Sequence, residues 1–101
     1  MAGGTGGPGD RGTAGAMRVS VVSPEQILFE GDATAVVVPA YDGLVGILPR
    51  HAPFMSLLGS GILTVRGVEG TQTLRVGGGF VQVRANVVRV VAESAAVTGA
   101  A

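Results

Sequence analysis

His51 is the chain's single histidine, and it stands between two prolines, Pro49 and Pro53. Histidine is the side chain that most often performs general acid–base catalysis. The hydroxyls of Ser23, Ser56 and Ser60 are the nucleophiles it would activate, and Glu25, Glu30, Asp32 and Asp42 are the carboxylates available to orient it. No nucleophile-elbow motif surrounds any of these serines. Nothing in the spacing of the carboxylates forces a pair into catalytic reach. His51 is therefore expected to be a structural loop residue, and the carboxylates solvated charges at turns. One histidine and no cysteine exclude multi-histidine and thiolate zinc sites. Gly77, Gly78 and Gly79 lack the GxGxxG and GxxxxGKS/T spacings of phosphate loops, and no helix is expected after them. They are read as a bulge or tight crossing between strands. No catalytic, cofactor-binding or metal-ligating residue is assigned.

The surrounding composition narrows the classes of partner. Seven arginines, with no lysine, balance seven acidic residues, so the formal net charge is zero. No nucleic-acid partner is expected, because backbone binding needs an excess of cations facing phosphates. Hydrophobic residues make up 47% of the 101 residues and charged ones 14%, which suits one domain with a buried core. The longest uncharged run, residues 52–65, falls short of the ~20 apolar residues of a spanning helix and is interrupted by Pro53 and Gly59. The first sixteen residues lack the basic start and apolar stretch of a signal peptide. Membrane association is expected only through a partner.

The elements that carry these residues read as strands. Residues 1–16 are rich in glycine and poor in large apolar side chains, and are expected to be a disordered arm. The patterned body runs over 17–93, and 94–101 is expected to be a flexible tail. Met17, Val19 and Val21 alternate with Arg18 and Ser20, the period of a half-buried strand. Further strands are expected over 26–30, 33–38, 43–48, 61–66, 71–76, 80–84 and 87–91, separated by Gly, Pro, Asp and Asn. The spacing of Phe54, Met55, Leu57 and Leu58 fits either one helical turn or a bent strand. Such short strands at regular turn spacing suggest an all-β sandwich or barrel. Glycan or peptide modules of that kind usually need an aromatic groove, and only Phe29, Tyr41, Phe54 and Phe80 are aromatic.

One segment is more specific. Asp42-Gly43-Leu44-Val45-Gly46-Ile47-Leu48-Pro49-Arg50-His51-Ala52-Pro53-Phe54 resembles the GxxGxLPxHAP segment of the epsilon subunit of F-type ATP synthases, called delta in mitochondria. Val19-Ser20-Val21-Val22-Ser23-Pro24-Glu25 is similar to that family's opening VVTPE strand. Val76-Gly77-Gly78-Gly79-Phe80-Val81-Gln82-Val83 is similar to its GGFxEV strand, and residues 87–93 to its VTVLAD strand. The resemblance covers 17–93 and implies a flattened β-sandwich of about ten short, mostly antiparallel strands. It implies a non-catalytic rotor subunit without a cofactor. That subunit would lie between the gamma subunit and the c-ring, peripheral to the cytoplasmic face of a bacterial plasma membrane. The helical hairpin that follows the sandwich in the family is expected to be missing from this chain, so its inhibitory and ATP-binding roles are not carried over.

Ser23 and His51 match family positions that lie near gamma; a turn residue beside Pro24 and a loop residue packed on prolines are the alternatives. Tyr41, Asp42, Gly43 and Leu44 match the loop that faces the c-ring. Many family members carry Glu at the position of Leu44, where it meets an Arg of the ring. Here either Asp42 substitutes for it or the contact is more apolar. The loss is tolerable, because an exposed ion pair is worth only about 0–1 kcal/mol. The competing expectation is a free-standing β-sandwich binding module unrelated to the synthase.

Overall fold

A computed structural model describes residues 16–67 and 70–100. The expected arm lies outside the described residues except for Ala16, as do Val68 and Glu69 between the strands expected over 61–66 and 71–76. The described chain is all-β: β1 (Met17–Val22), β2 (Ile27–Ala33), β3 (Ala35–Ala40), β4 (Gly43–Ile47), β5 (Phe54–Leu57), β6 (Gly61–Gly67), β7 (Gly70–Arg84) and β8 (Val87–Ala100). Alternation sets the faces. Met17, Val19 and Val21 of β1 are buried while Arg18 is exposed, and Leu63 and Val65 of β6 repeat the pattern. Residues 54–57, which suited a helical turn or a strand, pair with β7 and are a strand.

Hydrogen bonding runs in the order β2-β1-β8-β7-β6-β3-β4, with β5 on the free edge of β7. All the pairings are antiparallel except β1 with β8. Eight strands appear where about ten short ones were expected, because β7 and β8 each do the work of two. The first half of β7 pairs with β6 and its second half with β5. The first half of β8 pairs with β1 and β7, and its second half with β7 alone.

Gly77, Gly78 and Gly79 make that double use possible. Leu74 and Val76 are buried before them, and Val81 and Val83 after them. The inward face therefore changes from even to odd positions across the glycines. Pairing with β8 skips Gly78 and resumes at Gly79 opposite Ala92. Gly78 and Gly79 take φ of 71° and 102°, a region that glycine adopts without steric cost. A Cβ on Gly79 would collide with the Val91 carbonyl oxygen.

The two halves of the folded sheet share one core, which includes Val19, Val21, Val36, Val38, Leu63, Leu74, Val81, Val88 and Val90. Each such side chain contributes about 1.5–3 kcal/mol on burial. Thr34 helps close the open side: its N–H donates to the Arg66 carbonyl at 2.8 Å and its hydroxyl to the same oxygen at 3.2 Å. The tail expected to be flexible over 94–101 continues β8 as strand through Ala100. Its backbone pairs with Gln72 through Gly77, and Thr98 donates to the Thr73 carbonyl at 3.2 Å. The open edge of β7 supplies the ladder that the tail's small side chains would not organise alone.

Candidate docking surfaces

Tyr41 and Asp42 form the two-residue turn between β3 and β4, closed by the pairing of Ala40 with Gly43. Gly43 enters β4 at φ 139°, which favours glycine. The Tyr41 N–H donates to the Leu57 carbonyl at 2.9 Å, and the Gly59 N–H to the Pro39 carbonyl at 2.8 Å. The hairpin is thus anchored to the chain leaving β5 while its tip projects. Tyr41 and Leu44 are each 73% exposed, and Asp42 and Gly43 are exposed as well. The four residues expected to act together do form one surface. With a hydroxyl, one carboxylate and an exposed leucine, it is suited to contact rather than to proton transfer.

Ser23 opens the β1–β2 turn. Its N–H donates to the Gln26 carbonyl at 2.9 Å, and the Gln26 N–H returns a bond of 3.3 Å. Its hydroxyl reaches the same Gln26 carbonyl only at 3.5 Å. The turn therefore holds mainly through backbone, and the half-buried side chain adds only that long bond.

His51 lies in the loop between β4 and β5, where its N–H donates to the Leu48 carbonyl at 3.1 Å. Its ring is half-buried, with Nδ1 donating to the Ala52 carbonyl at 2.7 Å. The ring also meets Phe54 edge-on, with centroids 5.8 Å apart. The hydroxyls of Ser23 and Ser56 donate to the backbone carbonyls of Gln26 and Leu57 instead of to His51. No hydrogen bond among the described residues joins His51 to a serine or a carboxylate, so no triad geometry is present. Nor do the described residues gather three His, Asp or Glu as a metal site would require.

The structure does not bring Ser23 and His51 together. Ser23 follows the end of β1 that pairs with Val91 of β8. His51 follows Arg50, whose N–H donates to Asn86 Oδ1 at 2.6 Å beside the other end of β1. The span between them is roughly 15 Å at about 3.3 Å per residue. Asn86 is the residue that sequence reasoning missed. Ala85 and Asn86 both have positive φ and make the tight β7–β8 turn. From there the Asn86 side chain holds the His51 loop, and its carbonyl accepts the Arg18 N–H at 2.9 Å. An Ala-Asn pair signals the turn; no local pattern signals that it reaches a loop 36 residues away.

Comparison with known proteins places this geometry in a family. The model for "ATP synthase, Delta/Epsilon chain, beta-sandwich domain" matches residues 16–98. The ATP synthase epsilon chain of Leptospira interrogans (strain Fiocruz L1-130) is 42% identical over 84 residues, which are 83% of this chain and 66% of that one. The ATP synthase epsilon chain of Neisseria meningitidis serogroup A is 46% identical over 81 residues, 78% of this chain and 58% of its own. The chain thus spans just under two-thirds of the first relative's length and less of the second. In the mitochondrial ATP synthase of Euglena gracilis, a chain superposes with a TM-score of 0.76 at 22% identity, covering 90% of this chain and 59% of its own. In the central stalk and c-ring of the Tetrahymena thermophila mitochondrial enzyme, a chain superposes with a TM-score of 0.67 at 16% identity, covering 79% and 65%. At those identities the structural likeness is one of fold. The sequence match supplies the kinship, and this chain belongs to the delta/epsilon family of ATP synthase subunits, as its β-sandwich domain.

Proposed function

We propose that the chain is a non-catalytic subunit of the central stalk of a proton-translocating F-type ATP synthase, where it links gamma to the c-ring and passes rotation between them. The observation that carries this reading is the family match across residues 16–98, the whole described body but its last strand residues. A part that transmits torque must be stiff, and a close-packed sandwich is. It must also present two separate docking surfaces. The Tyr41, Asp42, Gly43 and Leu44 hairpin is the surface for the polar loops of the ring. Ser23 and His51 face gamma from the two ends of β1. In this reading the chain works at the cytoplasmic face of a bacterial plasma membrane, held there by the complex.

The test is affinity capture with this chain as bait from detergent-solubilised membranes of its source. Recovery of gamma together with alpha and beta is the expected result. Recovery of none of them, from membranes that hold intact synthase, would overturn the stalk role and favour a free-standing binding module.

A further inference from the structure

Arg50 occupies a turn position that its own side chain disfavours. The turn Leu48-Pro49-Arg50-His51 is closed by the His51 N–H donating to the Leu48 carbonyl at 3.1 Å, and Arg50 has φ of 68°. Proline in second place and a positive φ in third are the marks of a type II turn, whose third residue is usually Gly or Asn. The left-handed region crowds the Cβ of any other residue against the carbonyl oxygen that follows.

The fold holds Arg50 there from a distance. Its N–H donates to Asn86 Oδ1 at 2.6 Å, and the Asn86 carbonyl in turn accepts the Arg18 N–H at 2.9 Å. Glycine at position 50 would donate the same N–H and take the same φ without crowding. The backbone therefore gains nothing from the arginine. Nor does the core, because the Arg50 side chain is exposed. A residue held in strain by its surroundings points to a role for its side chain. The described residues build no triad or metal geometry around His51, which leaves contact with a partner.

Charge indicates what that partner presents. Arg84 stands two residues before Asn86, and Arg18 meets Asn86 through its backbone; both side chains are exposed. The one ion pair among the described residues joins Arg18 to Asp32 at 3.5 Å. Three guanidinium groups around one turn, with one carboxylate paired to them, favour an acidic neighbour.

We infer that Arg50 is a specificity-determining contact, kept in a strained turn so that its guanidinium meets a carboxylate of the partner docked on the His51 loop. The inference rests on the stalk reading, in which that partner is gamma. A guanidinium takes a carboxylate in two parallel hydrogen bonds, so shape and charge both select an acidic side chain. Stability of the turn and strength of docking are thereby opposed: the residue that relaxes the turn loses the contact.

The test measures binding of the full chain, over a salt series, to an F1 assembly of the source organism that contains gamma and lacks this chain. The melting temperature of the free chain is followed beside it. Arg50→Gly and Arg50→Asn both accept the left-handed region and are expected to melt about 2–4 °C higher. Both are expected to bind about tenfold more weakly and with a shallower dependence on salt. Arg50→Lys keeps the charge without the planar fork and is expected to recover part of the affinity at low salt. Glycine and asparagine variants that bind within about twofold of the unaltered chain overturn the inference and leave the stalk reading standing. So does weakened binding that lysine does not improve, because gamma would then not be meeting a charge. Lower melting temperatures in both variants remove the strain and overturn it as well. An unaltered chain that fails to bind the assembly overturns the stalk reading and this inference with it.

Discussion

Gly79 sits at φ 102° with the Val91 carbonyl oxygen where its Cβ would be. Gly79→Ala therefore meets both a strained backbone and a backbone clash, and is expected to cost about 3 kcal/mol or more in chemical denaturation. Asn86 offers a subtler comparison. Asn86→Gly keeps the positive φ of 63° but removes the acceptor for the Arg50 N–H. It is expected to cost about 1 kcal/mol and to speed hydrogen exchange at Arg50, whereas Asn86→Asp keeps the acceptor and stays near wild type on both counts. At this scale the sequence was partly legible. The glycine triplet announced a crossing because three residues without Cβ between apolar strands have few other uses. The lone His51 announced a loop. The left-handed Arg50, at φ 68°, was not legible, because a tertiary bond to Asn86 helps hold it and local preference does not.

Strands with period-two burial were readable directly: β1 and β6 fall where alternation puts them. One element was not. The second half of β8 is built from small residues and owes its strand state to the open edge of β7, which lies 17 residues away in sequence for the Gly77–Ser94 pair. Truncation after Glu93 removes that ladder and exposes Leu74 and Val76, which are buried. It is expected to destabilise the domain by more than about 2 kcal/mol, seen as a large fall in melting temperature; an unchanged melting temperature would restore the idea of a loose tail. The β3–β4 hairpin behaves in the opposite way. Leu44 projects into solvent, so Leu44→Glu should shift stability by no more than about 0.5 kcal/mol. An effect on capture of the c-ring without an effect on melting would mark the hairpin as a docking element. Its four residues were found together from sequence because they are adjacent.

In the whole molecule, one folded sheet encloses one core and carries its candidate contact residues on separate turns and loops. That division suits a part that transmits force between neighbours more than one that transforms a substrate. Purified chain is accordingly expected to give no binding heat with ATP at micromolar concentration in calorimetry, and micromolar affinity would count against the reading. The all-β class and the strand order along the chain were legible, because hydrophobic period is a local property. The merging of short strands into two long ones was not, because it depends on how the glycine crossing lets one strand serve both layers. If the chain couples rotation to transport, ATP-driven proton pumping depends on it. Inverted membrane vesicles would be prepared from cells of the source organism deleted for this chain, with and without the chain supplied again. Restored proton pumping per ATP hydrolysed, with the chain bound to the synthase, is the predicted result. Pumping that stays at the level of the vesicles without it, although the chain is bound, would show that the chain does not couple rotation.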